Sequence, residues 1–263
     1  MFQFVPRRGR GLLILAAVAA ISLSACGGGS KTATPTGPTD SSASAQPSAS
    51  AQPSDSGAAL DGAATALSNL TSYKFTMTVV GGDLSDTLAS LPNAPDSGVF
   101  KVSGTYLLTP DAAADIKVEG ALEEISVGGN DYQDAGLQGS FTQSDSGATT
   151  LVGQLAPSAI YAAFDFTSGF TLVPSQATDP LNSDHYQAGD AALTEFASVA
   201  GVANANWTAD VWIDKAGGYP VRISIVGTAS ATDKTVVYER TFQLLDVNAA
   251  TNTVTAPTNI TGA

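Results

Sequence analysis

The sequence has one cysteine, one histidine and few basic residues. Because Cys26 is the only thiol, the chain cannot form an internal disulfide, and an exported domain would depend on its apolar core for stability. One cysteine and one histidine are too few for a metal site built from histidine and thiolate ligands. Eleven basic residues against 24 acidic ones give a net charge of −13, which excludes a nucleic-acid-binding protein that neutralises phosphates.

The motifs of common enzyme classes are also missing from the sequence. It contains no G-x-S-x-G nucleophile elbow, no G-x-x-x-x-G-K-[ST] phosphate loop and no dinucleotide fingerprint. The lone His185 is interpreted as a surface or loop residue, and Glu123-Glu124 as a solvated pair. The acidic stretches DLSD (83–86) and DYQD (131–134) do not match a calcium-binding loop, although a calcium site built from acids stays open. We therefore predict a protein that is not an enzyme and has no cofactor or metal.

The N-terminal residues have the pattern of a secretory signal. Residues 1–10 carry three arginines and no acid, and residues 11–25 are apolar or small, as in a signal peptide. The apolar run is shorter than the ~20 residues of a spanning helix. It ends in Leu23-Ser24-Ala25-Cys26, which resembles the bacterial lipobox. This resemblance implies that residues 1–25 are removed and that acylated Cys26 anchors the chain to the extracytoplasmic face of the cell membrane.

The segment after the cysteine has the composition of a disordered linker. Residues 27–57 contain no aromatic residue, leucine, isoleucine or valine, and SASAQP occurs twice, at 42–47 and 48–53. Such a segment buries too little apolar surface to offset the entropy that ordering would cost. We therefore divide the chain into a signal peptide (1–25), a lipidated cysteine with a disordered linker (26–58) and one folded domain (59–263).

The folded domain begins with a helix that leads into strands. Apolar residues at helical spacing predict a helix over 60–70, and strict alternation then predicts a strand over 73–79 that ends at Gly81-Gly82. Further helices are predicted at 157–164 and 190–201, and DHYQAG (184–189) is left open as strand or loop. The other predicted strands lie at 99–108, 114–122, 124–127, 131–135, 139–143, 207–214, 220–227 and 235–247.

These elements predict an α+β fold. Roughly eight to ten strands joined by short turns favour a single antiparallel sheet that curves into a half-barrel. The few helices would lie on its concave face, where they would enclose an apolar interior. A monomer is expected.

Several stretches resemble a known family of exported lipoproteins. They are the lipobox, the polar linker, SYKFTMTV (72–79), VGGNDY (127–132) and DVWIDKAGGYPVRISI (210–225). Together they resemble the LppX/LprG-type lipoproteins, whose fold is similar to that of the lipid carrier LolA. The resemblance implies an apolar cavity that binds acyl chains of a lipid or glycolipid and helps carry them across the cell envelope. The resemblance is also compatible with a membrane transporter as a partner.

Bulky residues of the predicted strands are the candidates for the wall of such a cavity. Ordinary core packing is the alternative for each of them. The candidates are Phe75, Met77, Phe100, Tyr106, Ile116, Trp212, Ile223, Tyr238 and Phe242. The alternative function is a binding or regulatory, stress-sensing lipoprotein that acts on a protein or cell-wall partner without catalysis.

Overall fold

The computed structural model describes residues 56–144, 151–162, 169–193, 200, 202 and 204–261. Residues 1–55 include the predicted signal peptide, Cys26 and nearly all of the predicted linker, so these predictions lie outside the described residues. Within the described part, one large antiparallel sheet is covered by a few short helices.

The strands hold most of the described residues in regular structure, and three of the four described helices have eight residues or fewer. The helices are α1 (Ser56–Ser68), α2 (Gly82–Ala89), α3 (Leu151–Gln154) and α4 (Pro157–Ala162), with one 3₁₀ turn at Asp190–Leu193. The strands are β1 (Ser72–Val80), β2 (Val99–Leu107), β3 (Ala113–Val118), β4 (Leu122–Val127), β5 (Asn130–Ala135), β6 (Thr142–Ser144), β7 (Thr171–Val173), β8 (Ser183–Gly189), β9 (Asn206–Asp214), β10 (Pro220–Thr228) and β11 (Val236–Leu245).

The sheet consists of two meanders that meet at its centre. The strand order is β6-β5-β4-β3-β2-β1-β11-β10-β9-β8-β7. The chain therefore runs outward from β1 to one edge, passes to the opposite edge at β7, and returns strand by strand to β11. There β11 pairs with β1, and Met77 lies opposite Phe242. The segment that links the two edges contains α3 and α4, so the topology itself brings helices across one face of the sheet.

The two faces of the sheet differ in polarity. We call the face that carries Tyr73, Phe75 and Met77 the inner face, and the opposite one the outer face. Alternate residues of a strand point to opposite faces, so Thr76 and Thr78 lie on the outer face. The apolar residues of the inner face form one buried core with those of the helices, including Leu60 of α1 and Leu88 of α2. The helices therefore cover the inner face.

The predicted fold class is confirmed: the chain is α+β, with one antiparallel sheet and few helices. The predicted helix at the start of the domain is α1, and β1 ends at Val80, directly before Gly81-Gly82. Gly81 has a φ of +63°, and a Cβ at this position would lie 2.2 Å from the backbone oxygen of Val237. Only glycine fits this turn, because other residues would be strained and would clash with β11.

Several predicted elements differ from the observed ones. The strand predicted over 114–122 stops at Val118, because Gly120 adopts a φ of +79° in a turn between β3 and β4. The segment DHYQAG is part of strand β8. The helix predicted over 190–201 is a 3₁₀ turn as far as Leu193, and residues 194–199 lie outside the described ones.

Candidate functional site

Aromatic rings line the centre of the inner face. Phe75 lies 5.6 Å from Tyr106 and 5.8 Å from Phe242, measured between ring centroids. The ring centroids of Trp207 and Tyr238 lie 5.2 Å apart. Rings at these separations attract one another in addition to the effect of burying their surface. The inner face is therefore apolar and aromatic over β2, β1, β11 and β9.

Eight of the nine cavity candidates lie together on this inner face. Each of them is at most 5% exposed, and they are Phe75, Met77, Phe100, Tyr106, Ile116, Ile223, Tyr238 and Phe242. Such low exposure means that their side chains pack against neighbours, as in an ordinary core. In this structure, access to the inner face therefore requires the helices to move away from the sheet.

Trp212 is the exception among the candidates. In β9, Val211 lies opposite Ile223 of the inner face, so Trp212, one residue later, points to the outer face. The prediction that Trp212 shares a cavity with the other eight residues is therefore wrong. Its ring instead contacts the guanidinium of Arg222, whose carbon lies 5.0 Å from the ring centroid.

A close approach in the middle of the sheet fixes the position of Phe75. Gly104 lies opposite Phe75 in the register of β1 and β2. A Cβ on Gly104 would lie 2.6 Å from Cε1 of Phe75 and 2.6 Å from the backbone oxygen of Asp115. The absence of a side chain at Gly104 therefore gives the Phe75 ring the room that it occupies.

Glu124 is a buried carboxylate on the inner face, and the sequence interpretation missed it. It lies opposite Ile116 and is 1% exposed, so its interpretation as part of a solvated pair is wrong. Its carboxylate accepts hydrogen bonds from the backbone N–H groups of Val152 at 3.0 Å and Leu151 at 3.4 Å, and from Gln133 at 3.1 Å. Glu124 therefore holds the start of α3 against the sheet.

Arg240 of β11 is a buried cation on the inner face, near the end of β1. It is 6% exposed and lies opposite Val79 in β1. Its guanidinium donates to the carbonyl oxygens of Val80 at 3.1 Å and Gly81 at 2.9 Å, and its carbon lies 4.6 Å from the ring centroid of Tyr238. These contacts fix the turn that leads from β1 into α2.

Tyrosine hydroxyls also join the helices to the fold. Tyr161 of α4 donates to the backbone oxygen of Leu60 in α1 at 2.6 Å, and Tyr106 of β2 donates to the backbone oxygen of Val152 in α3. Burial raises the pKa of both Tyr106 and Tyr161, so both remain neutral donors at physiological pH. The helical cover is thus attached through a small number of polar contacts.

His185 lies in a packed polar cluster on the outer face. It is 4% exposed, which corrects its interpretation as a surface or loop residue. Its ring stacks on Trp212 with centroids 4.4 Å apart, and its Nε2 lies 2.8 Å from Asp210. The backbone N–H of Gln176 and the indole N–H of Trp212 hold the pKa of Asp179, which flanks His185, below its usual range. No serine or threonine hydroxyl bonds His185 in the described part of the chain, so a nucleophile–base pair is not formed there.

This chain is similar to known proteins in structure, whereas the sequence comparisons gave no match. No family model and no curated protein matches the sequence. LprF from Mycobacterium bovis is similar in structure with a TM-score of 0.45 and 16% identity, over 77% of this chain and 96% of LprF. The lipoprotein LppX from Mycobacterium tuberculosis is similar with a TM-score of 0.42 and 16% identity, over 74% of this chain and 96% of LppX. Both are of the type that the sequence resembles.

A third solved structure is the complex of MucA and MucB from Pseudomonas aeruginosa. It gives a TM-score of 0.34 and 15% identity, and the match covers 74% of this chain and 57% of the other. Among the described residues, no helix is both long and apolar enough to span a membrane.

Proposed function

We propose that this protein is a membrane-anchored lipoprotein that binds the acyl chains of a lipid or glycolipid between the inner face and its helical cover. It thereby helps to carry them across the cell envelope. The observation that carries the proposal is the large aromatic and apolar inner face, which is covered in part by the very short helices α3 and α4. The protein acts without catalysis, from the extracytoplasmic side of the membrane.

The physical basis is the cost of exposing an acyl chain to water. Each exposed methylene group costs about 0.8 kcal/mol, so an acyl chain that leaves the membrane needs an apolar environment. The residues of the inner face supply such an environment over several neighbouring strands. Transfer needs no bond to be made or broken, so no catalytic group is required.

The acyl chain enters when the helical cover separates from the sheet. Helices α3 and α4 have four and six residues, and isolated helices shorter than ~12 residues are marginal in water. Their position therefore depends on packing and on contacts such as those of Glu124, Tyr106 and Tyr161. Apolar contacts with an acyl chain would replace the contacts that the cover makes with the inner face.

The two tryptophans of the chain provide a test, because they lie on opposite faces of the sheet. Trp207 lies on the inner face and is 2% exposed, whereas Trp212 lies on the outer face. A dibrominated fatty acid quenches tryptophan fluorescence on contact. In the Trp212→Phe variant, where Trp207 is the remaining tryptophan, we expect it to quench the fluorescence saturably. Fluorescence titration of the Cys26→Ser chain measures this.

The matched control is the Trp207→Phe variant, which reports on Trp212 alone. Its fluorescence should not change when the same fatty acid is added, because the outer face lies on the other side of the sheet. Quenching of Trp212 alone, or of neither tryptophan, would contradict acyl-chain binding at the inner face. Circular dichroism of both variants checks that they are folded.

The membrane anchor is tested separately at Cys26, which lies outside the described residues. Because a thioether-linked lipid requires this sulfur, we expect Cys26→Ser to abolish incorporation of a labelled fatty acid. Ser30→Ala, four residues later in the linker, should behave like the unchanged chain. Labelling of Cys26→Ser equal to that of the unchanged chain would refute the anchor.

A further inference from the structure

Arg240 is a buried cation in the apolar part of the inner face. It is 6% exposed, and no other lysine or arginine is buried among the residues that the structure describes. Along β11 it is followed on the same face by Phe242 and Leu244, and it lies opposite Val79 of β1 and Ile225 of β10. Removal of a charged group from water is costly unless a partner compensates the charge.

No carboxylate of the described residues forms an ion pair with Arg240. The neighbouring Glu239 points to the outer face, and Asp83, in the first turn of α2, is exposed. The buried carboxylates that the described strands place on the inner face, Glu124 and Asp131, lie on β4 and β5, at least four strands from β11. Burial lowers the pKa of Arg240, as expected for a desolvated cation.

The guanidinium of Arg240 also keeps unused hydrogen-bond donors. An arginine has five N–H donors in one plane. Nη1 donates to the carbonyl oxygens of Val80 at 3.1 Å and Glu239 at 2.8 Å, and Nη2 donates to that of Gly81 at 2.9 Å. The N–H of Nε and one N–H of Nη2 therefore have no acceptor within the described part of the chain. Donors of one planar guanidinium fit the oxygens of a carboxylate or a phosphate.

Arg240 lies where the apolar surface meets the end of the sheet. Its partner Val79 is one residue before the end of β1, and Phe100, opposite Val79, is one residue after the start of β2. Phe242 follows Arg240 by two residues, about 7 Å along the strand, and lies opposite Met77. A charged group at the rim with rings further in forms an amphipathic surface. Its polarity matches that of a lipid with an anionic headgroup.

We propose that Arg240 binds the anionic headgroup of the lipid whose acyl chain lies on the inner face. This inference rests on the proposed function and narrows the lipid to one whose headgroup carries a carboxylate or a phosphate. The headgroup oxygens accept hydrogen bonds from the N–H groups of Arg240 that the fold leaves unused, and the acyl chain extends over Phe242. Such charge-assisted bonds are roughly twice as strong as neutral ones. An uncharged lipid would leave the guanidinium uncompensated.

The test is fluorescence titration of the Cys26→Ser chain that also carries Trp212→Phe, so that Trp207 reports on the inner face. The two probes are a dibrominated fatty acid and its methyl ester, which share one acyl chain and differ in headgroup charge. In mildly alkaline buffer, where the acid is ionised, we expect the acid to bind about tenfold more tightly than the ester.

Competition against the brominated acid extends the test to a phosphate headgroup. The competitors are lysophosphatidic acid and a monoacylglycerol with the same acyl chain. We expect lysophosphatidic acid to displace the probe at a lower concentration than the uncharged monoacylglycerol does. The tighter of the two anionic lipids, fatty acid or lysophosphatidic acid, then identifies the headgroup as a carboxylate or a phosphate.

Variants connect this selectivity to Arg240. Arg240→Met keeps a long side chain without the charge, and it should weaken binding of the fatty acid about tenfold while binding of the methyl ester changes little. Arg240→Lys retains the charge without the planar donors, so its affinity for the acid should be intermediate. The matched control is Arg222→Met, which removes the same charge from the outer face of β10 and should leave both affinities unchanged. Circular dichroism checks that each variant is folded.

The outcomes separate this inference from the proposed function. Saturable quenching by the acid and the ester with equal affinity would support acyl-chain binding and overturn the role of Arg240. Quenching by neither probe would refute both proposals. This comparison needs no variant at Arg240, so it tests the inference even if Arg240→Met does not fold.

The variants add two results that would overturn the inference. An equal loss of affinity for acid and ester in Arg240→Met would mean that Arg240 only holds the turn after β1 in place. An equal loss of affinity for the acid in Arg240→Met and Arg222→Met would mean that net charge alone attracts the lipid.

Discussion

Replacement of Phe75 by alanine is expected to lower the free energy of unfolding by about 3–5 kcal/mol, the usual range for a large buried aromatic side chain. The ring is 1% exposed and lies between Tyr106 and Phe242 at the centre of the sheet. Gly104 supplies no side chain that could fill the space left behind. Urea denaturation followed by circular dichroism measures the change.

The control for this prediction is the next residue in the same strand. Thr76 points to the outer face and is exposed, so Thr76→Ala should change the free energy of unfolding by no more than about 1 kcal/mol. If Phe75→Ala lowers the free energy of unfolding by no more than Thr76→Ala does, the inner face is not the core of the protein. The proposed site for acyl chains would then also lose its basis.

Replacement of Glu124 by alanine is expected to lower the free energy of unfolding by about 3 kcal/mol, because hydrogen bonds to a buried charged group contribute ~1.5–3 kcal/mol each. The change leaves the N–H groups of Leu151 and Val152 without their acceptor. Glu124→Gln retains one acceptor oxygen and should have an intermediate effect. Chemical denaturation of the three proteins under one condition gives the comparison.

Glu123 provides a matched control for Glu124. It is the preceding residue in β4, points to the outer face, and pairs with Lys117 at 3.0 Å. Such exposed ion pairs contribute about 0–1 kcal/mol, so Glu123→Ala should have a small effect. Equal losses in the two alanine variants would show that Glu124 does not hold α3 in place. A larger loss in the Glu123 variant would show the same.

The two faces of one sheet offer surfaces of different polarity. The inner face offers apolar surface beneath helices that are attached by few polar contacts, such as that between Tyr161 and Leu60. The outer face offers exposed polar side chains, such as Thr76 and Lys101. Because alternate residues of the same strands build both surfaces, a change at Thr78 affects one surface and a change at Met77 affects the other.

Much of the sheet could be predicted from local patterns. Alternation in SYKFTMTV separates Phe75 and Met77 from Thr76 and Thr78, and the structure places these two pairs on opposite faces. The glycines after Val80 indicate the end of β1, because the turn requires a positive φ. Such features depend only on neighbouring residues, so the sequence is sufficient to predict them.

Other features depend on how distant strands pair. The sequence by itself determined which residues of each strand share a face, the antiparallel character of the sheet, and the helix at the start of the domain. Only the tertiary structure decided that Glu124 lies beside Ile116 on the inner face, that Trp212 lies on the outer face, and that His185 is buried against it. The physical reason is that alternation leaves the register between strands open, and a shift of one residue exchanges the two faces of a strand.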